Sequence, residues 1–267
     1  MPAPVPVGGA DDPRLSDYSG LREHWRRAPG DRFVVEGPLA VGRLLASRYP
    51  VRSVLVTERG GRDLEAELAG CPSPVYEVSQ AVMGQLCGFN FHRGALASAE
   101  RLPLPPALDL VAAADRVLVV EGVNDYENLG SLFRNAAAFG VGAVVLDPTT
   151  CDPLYRRVVR VSVGHSLHLP FARATVDEWP GVLAGLPLLG TEVLALTPSP
   201  EAEDVAAVAT STGRRWALCV GAEGPGLSVG VLAAAGRRVR VPMADGVDSL
   251  NVATAAAIAL HRLASTG

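Results

Sequence analysis

Lysine is absent from this 267-residue chain: all 24 of its basic residues are arginine, set against 28 acidic ones for a formal charge of −4. A molecule of that balance is not coated in positive charge, so any grip on a polyanion has to be local. Cysteine is scarce. Cys71, Cys87, Cys151 and Cys219 lie far apart, form no CxxC pair and have no histidine at ligand spacing. Neither a zinc site nor a disulfide framework is indicated, and the thiols read as small buried hydrophobes of a reducing compartment. No apolar run approaches the roughly 18 residues of a bilayer crossing, and the opening MPAPVPVGGADDPR lacks the positive end and apolar centre of a secretory signal. These absences predict a cytoplasmic protein with no membrane and no metal. Also missing is a G-x-G-x-x-G turn followed about 20 positions later by an acidic residue, which leaves a nicotinamide or flavin enzyme without support.

Aromatic residues are only 5% of the chain while hydrophobic ones are 48%. The balance is alanine, valine and leucine, which suits short strands packed on helices. The length allows two domains. Residues 1–31 read as a flexible arm, with 1–13 predicted disordered and 14–28 able to form a short arginine-bearing helix before Pro29-Gly30. Over 32–100 the pattern predicts a small alternating α/β unit. Its strands fall at Phe33–Val35, Val51–Thr57, Val75–Val78 and Gly94–Ala99, and its helices at Pro38–Ser47, Asp63–Ala69 and Ser79–Cys87. The prolines around 102–106 can neither pair in a sheet nor continue a helix, and 101–115 reads as a linker. A second series fills 116–267, with strands at 116–120, 142–146, 190–197, 215–220 and 237–241. VLVV, AVVL and WALCV are apolar without alternation, as strands covered on both faces are, so a mostly parallel sheet flanked by helices is expected. An alanine-rich helix from about Ser249 to Leu263 closes the chain.

The arginines cluster at Arg22/Arg26/Arg27, Arg156/Arg157/Arg160, Arg214/Arg215 and Arg237/Arg238/Arg240. Each cluster is either a solvated face or a phosphate contact. Ligands of open α/β sheets bind beyond the carboxyl ends of the strands, and three loops there are unusual. VLVVEG leads into VNDYENLGSLFRNAAAFG. A helix starting near Asn128 would put Gly130 and Arg134 on one face with open space beside the guanidinium, which alone is a solvated charge or an anion or ribose contact. WALCV leads into GAEGPGLS, whose three glycines surround Glu223 and signal close backbone approach or a left-handed turn. RVRV leads into PMADGVDSLNVATAAAIAL, where Asp248 or Ser249 could cap a helix whose first turn begins at Asn251.

Taken in order and by position, NLGSLFRNA, GAEGPG and VPMADGVDSLNVATA resemble the three motifs of the SpoU (TrmH) family of knotted RNA methyltransferases, across about 116–264. FVVEGPLAV and FHRGALA resemble parts of the RNA-binding domain that precedes the catalytic one in many members, a fold shared with some ribosomal proteins. The resemblance implies methyl transfer from S-adenosylmethionine to a ribose 2′-hydroxyl of RNA, ribosomal RNA being favoured over tRNA. It implies a SPOUT-type sheet with a deep trefoil knot, no metal, and a homodimer through the catalytic domain. By the same resemblance Gly221, Val241 and Leu250 contact the cofactor, with Thr197 and Met243 beside them. Arg134 activates the hydroxyl, mainly electrostatically because a guanidinium is a poor literal base. Asn128, Glu223 and Asn251 orient the ribose and that arginine.

RVSVGHSLHLPF resembles a further family segment and makes Arg160, Ser162 and Gly164 candidates for contact with RNA or the cofactor's vicinity, while His165 and His168 read as ordinary histidines. Arg26, Arg27 and Arg93 are further RNA candidates. One position departs from the family: the serine that usually follows Asn-Val is here Ala253. The alternative is a noncatalytic RNA- or ribosome-binding protein that keeps the fold, and the presence of Arg134, Glu223 and Asn251 together counts against it.

Overall fold

The computed structural model describes residues 4–19, 21, 32–88, 91–209 and 215–265. They form two compact units. Among the described residues no helix is long and apolar enough to cross a membrane.

Unit 1 comprises Met1–Pro103 together with Asp152–His168. Its elements in chain order are β1 (Val5–Pro6), β2 (Arg32–Glu36), α1 (Pro38–Leu45), β3 (Val51–Val56), α2 (Glu58–Asp63), α3 (Glu65–Leu68), β4 (Val75–Glu77), α4 (Gln80–Cys87) and β5 (Ala95–Glu100). The sheet order is β1-β4-β3-β5-β2. β1, β4 and β3 run parallel, and β5 runs antiparallel to both β3 and β2. Two helix starts follow the capping rule: Thr57 Oγ1 accepts from Gly60 N at 3.3 Å and Ser79 Oγ from Val82 N at 3.3 Å.

The first residues depart from the disorder expected of 1–13. Val5 and Pro6 pair with Tyr76 and Glu77, Val7 N donates to Glu77 O at 2.8 Å, and the Val7 side chain is buried. A 3-10 turn over Pro13–Tyr18 then buries Leu15 and Tyr18 against Leu55, Met83, Leu86 and Leu96. A few apolar side chains with a place in a core thus outweigh a turn-forming composition. The remainder of the helix expected at 14–28 falls mostly outside the described residues.

Unit 2 comprises Leu104–Cys151 and Leu169–Gly267. It contains α5 (Ala107–Ala112), β6 (Arg116–Glu121), α6 (Tyr126–Ala138) and β7 (Ala143–Leu146). The chain then passes through α7 (Arg156–Val161), a member of unit 1, before β8 (Phe171–Arg173), α8 (Trp179–Leu188), β9 (Glu192–Leu196), β10 (Glu203–Asp204) and α9 (Val205–Ala209). It ends with β11 (Trp216–Gly221), α10 (Val229–Ala234), β12 (Arg237–Arg240) and α11 (Val252–Ala264). The strand order is β10-β12-β9-β11-β6-β7-β8, and every pairing is parallel. The mostly parallel sheet flanked by helices is therefore present. Val117, Val119, Val145, Ala217 and Cys219 are fully buried and pack with Leu186 and Val231 of the flanking helices. Burial pushes the Cys87 and Cys219 thiols up to about 12, which leaves them unreactive.

Two boundaries differ from the sequence reading. The 101–115 linker contains α5, which begins directly after Pro106 because a proline is tolerated before the first helical N–H bond is needed. The stretch 152–168, expected within the catalytic domain, belongs to unit 1. There α7 buries Val158 and Val159 and packs on β2, Arg156 donates to Glu36 at 2.6 Å, Arg160 forms a second pair with the same carboxylate, and Arg101 pairs with Asp152.

Candidate active site

In unit 2 the C-terminal ends of β9, β11 and β6 lie side by side, where an open parallel sheet presents its ligand crevice. The loop after β6 opens α6 through Asp125, whose Oδ1 accepts from Glu127 N at 2.9 Å and Asn128 N at 2.8 Å. Leu129, Leu132, Phe133 and Ala136 turn that helix's apolar face inward. Asn128 and Asn135 are seven residues apart and so share a face. Both reach the start of α11, which packs on α6, α9 and β11. Asn135 Nδ2 donates to Ala253 O at 2.9 Å.

The cap of α11 is Asn251, not Asp248 or Ser249: its Oδ1 accepts from Ala253 N at 3.0 Å and Thr254 N at 3.2 Å. With the carbonyl oxygen committed to the helix, the amide nitrogen must face the other way. It donates to Asn128 Oδ1 at 2.7 Å and to Glu223 Oε1 at 2.9 Å. Asn128 Nδ2 completes the ring by donating to the same Glu223 oxygen at 3.1 Å. Residues separated by more than a hundred positions thus share one hydrogen-bonded cluster. Arg134 is exposed on α6 with no hydrogen-bond or ion-pair partner among the described residues. Gly130, one turn earlier, is buried.

Glu223 is held by a loop that folds back on its own strand. A side-chain carbon at Gly221 would lie 2.4 Å from the backbone carbon of Gly226, so only glycine permits the return. Gly226 N donates to Ala222 O at 3.0 Å, and Gly224 and Gly226 have φ of +92° and +70°. The far end is tied to Glu121, the register neighbour of Gly221 on β6. Ser228 N donates to Glu121 Oε2 at 2.7 Å, Ser228 Oγ to Oε1 at 2.7 Å, and Trp179 Nε1 to Oε1 at 3.2 Å. Sequence reasoning missed Glu121, Ser228 and Asn135. The available signal was a carboxylate ending an apolar strand, whose partner only the strand register reveals.

A cavity of about 600 Å³ lies beyond the ends of β9, β11 and β12. Thr197, Gly221, Val241, Met243 and Leu250 all line it, as do Glu223 and Asn251. Leu196, Val220 and Val252 add apolar wall.

The RNA candidates have different situations. Arg26 and Arg27 lie outside the described residues. Arg93 is exposed. Arg160 is committed to Glu36, and Ser162 has no exposed surface and bonds to Val159 O at 3.0 Å and Ser166 Oγ at 3.2 Å. Ser162 is therefore enclosed in unit 1's own packing, whereas Arg160, part-exposed beside its ion pair, lines the same surface pocket as Arg93. Gly164 has φ +80° and lies against the Arg43 side chain, also within unit 1.

An all-parallel sheet with a cavity at its carboxyl edge, walled by apolar side chains and rimmed by a polar cluster, has the form of a small-molecule site of an α/β protein. Comparison narrows the class to RNA methyltransferases. The model of the SpoU rRNA methylase family matches residues 115–261. An uncharacterised tRNA/rRNA methyltransferase of Mycobacterium tuberculosis is 47% identical over 262 residues, covering 96% of this chain and 90% of the relative. The Bacillus subtilis 23S rRNA guanosine 2′-O-methyltransferase RlmP is 27% identical over 261 residues, covering 96% and 98%. A crystal structure of an RNA 2′-O-ribose methyltransferase aligns with a TM-score of 0.76 at 28% identity over 98% of this chain and 99% of that one. The fold is also that of an AdoMet-bound rRNA methyltransferase from Sinorhizobium meliloti, with TM-score 0.80 and 24% identity over 97% and 96%. The chain belongs to the SpoU rRNA methylase family, as its three motifs implied.

Proposed function

We propose that this protein transfers a methyl group from S-adenosylmethionine to a ribose 2′-hydroxyl of RNA, with ribosomal RNA as the favoured substrate. The observation that carries the reading is the Asn128–Glu223–Asn251 cluster at the edge of the cavity. Relatives named as 23S rRNA 2′-O-methyltransferases support the reaction and the RNA class. Thr197, Gly221, Val241, Met243 and Leu250 would hold the cofactor. The cavity's size and apolar wall suit an adenine, and the bare backbone at Gly221 suits close approach. When bound, S-adenosylmethionine supplies an electrophilic methyl group.

The protein's own contribution is positioning and electrostatics. A ribose hydroxyl is a very weak acid, so charge develops on its oxygen during attack. Arg134 is free to stabilise that charge or to engage the adjacent phosphate. The asparagines and Glu223 fix the acceptor side, with orientations set by the cap of α11. The same reading includes a deep trefoil knot in unit 2, an RNA-binding role for unit 1 with Arg93 as a contact, a homodimer through unit 2 and a cytoplasmic location; the family resemblance supports these.

Calorimetry with S-adenosylmethionine, paired with mapping of 2′-O-methylation across total RNA with and without the protein, tests this. Binding together with a protein-dependent methylated ribose is expected. Failure of both would replace the reading with a noncatalytic RNA-binding protein.

A further inference from the structure

The pairing of β6 with β7 ends at Val120 and Leu146. Beyond that point side chains take over from the backbone. Asp147, the residue after β7, is 4% exposed and gathers its own loop around its carboxylate. Oδ1 accepts from Thr150 N at 2.7 Å and Thr150 Oγ1 at 2.5 Å, and Oδ2 from Thr149 N at 3.1 Å and Thr149 Oγ1 at 2.5 Å. Burial pushes this carboxyl up, but the donors from Thr149, Thr150 and Gly122 outweigh it and hold it below its usual range. From β8, Arg173 donates to the carbonyl oxygens of Asp147 at 3.1 Å, Thr150 at 2.6 Å and Cys151 at 2.8 Å, so the loop is fastened from both sides.

Three bonds cross from this loop to the one that launches α6. Asp147 Oδ1 accepts from Gly122 N at 3.1 Å, Thr150 Oγ1 accepts from Val123 N at 3.2 Å, and Cys151 N donates to Val123 O at 3.0 Å. Only Asn124 separates Val123 from Asp125, whose side chain caps α6 by accepting from Asn128 N. The path from the Thr150 hydroxyl to Asn128 therefore has little slack. Gly122 also abuts the opposite loop: its φ is +70°, and a side-chain carbon there would lie 3.3 Å from Ala222 Cβ, one residue before Glu223.

Resting on the methyltransferase reading above, the geometry points to Asp147 and Thr150 as positioning residues for the acceptor side of the site. The Thr150 hydroxyl, oriented by Asp147, sets where α6 begins and so where Asn128 meets Glu223 and Asn251. The cavity wall comes instead from the ends of β9 and β11, the loops after β11 and β12 and the start of α11. Loss of the latch is thus felt in the rate of transfer and not in cofactor binding.

The test compares Thr150→Val, which keeps the shape and removes the hydroxyl, with Thr150→Ser, which keeps the hydroxyl. Single-turnover methylation of total RNA from cells lacking the protein, at saturating S-adenosylmethionine, is expected to slow by roughly 10–100-fold in Thr150→Val, since a misplacement of about 1 Å has effects of that order. Thr150→Ser should restore the rate to within about threefold of wild type, and calorimetric affinity for S-adenosylhomocysteine should stay within about threefold in both variants. Amide hydrogen exchange gives a reading in the wild type itself: Gly122 and Val123 should be protected, and Val123 should lose protection in Thr150→Val. A loss smaller than about tenfold in Thr150→Val would overturn the assignment, as would a serine variant as slow as the valine one or a fall in S-adenosylhomocysteine affinity that matches the fall in rate. Freely exchanging Gly122 and Val123 amides in the wild type would overturn it too, even if valine prevented folding. A wild type that methylates no RNA would overturn the proposed function along with this inference, whereas a competent wild type beside an unimpaired valine variant overturns the positioning role alone.

Discussion

In unit 1, Glu36 is 2% exposed and grips both Arg156 and Arg160, while Asp17 gathers Arg52 at 2.9 Å, Arg32 at 3.2 Å and the Ser98 hydroxyl at 2.7 Å. In unit 2, Glu223 is exposed and held only by neutral amides, and Arg134 has no partner among the described residues. The same two residue types serve opposite ends. Where charge is cancelled on the spot it fixes an element in place, as α7 is fixed to β2. Where it is left without an opposite charge, as at Glu223 on the cavity wall, it remains available to a reacting group.

If that contrast is right, the largest effect belongs to Arg134. Arg134→Ala should lower single-turnover methylation by roughly 10²–10³-fold or more, the range seen on removing a charge-stabilising donor. Calorimetric cofactor affinity should hardly change, and near-normal turnover would remove Arg134 from the chemistry. Glu36→Ala should act on the fold instead. It strands two part-buried guanidinium groups and should cost about 3 kcal/mol in urea unfolding, as breaking buried pairs does. A cost below about 1 kcal/mol would mean the pairs are no stronger than surface ones. Gly221→Ala should weaken S-adenosylhomocysteine binding by about tenfold, or about 1.4 kcal/mol, because the loop must move off its own strand. Unchanged binding would show that the folded-back loop is not needed for the cavity.

The smallest effect is a pH dependence in unit 1. Burial pushes the Asp17 carboxyl up, but Ser98, Arg52 and Arg32 outweigh it and hold the carboxyl below its usual range. A depressed folded value gives stability that is present above the unfolded carboxylate range near about 3.9 and is lost as pH falls through the folded value. The arginine partners are 40–45% exposed, so the loss is at most about 1 kcal/mol. Asp17→Asn should flatten the acid limb of the unfolding curve by that amount, and an unaltered limb would show that Asp17 contributes nothing there.

Much of unit 2's sheet was legible in the sequence because its central strands are unbroken apolar runs. β8 and β10, three and two residues long at the sheet's edges, carry too little pattern to be seen. The motif residues could be named before their meeting was visible, since Asn128, Glu223 and Asn251 each follow a strand. The reason for their meeting was not readable: Asn251's cap sets its amide, and Glu121 holds the far end of the Glu223 loop through Ser228. The surroundings of Arg160 and Ser162 were unreadable for a related reason: Ser162 is fully buried, and Arg160 pairs with a distant carboxylate. Glu36, the ion-pair partner of Arg160, lies 124 positions away, and no local pattern announces it.

The excursion of Asp152–His168 also decides how this molecule can be taken apart. Unit 1 is written in two pieces of sequence, so a cut near Pro103 alone would leave Val158, Val159, Arg156 and Arg160 attached to a fragment without their partners. A chimera that replaces unit 1 must exchange 1–103 and 152–168 as a matched pair. Divergence of unit 1 is bound by the same coupling, since a change at Glu36 requires an answering change in α7.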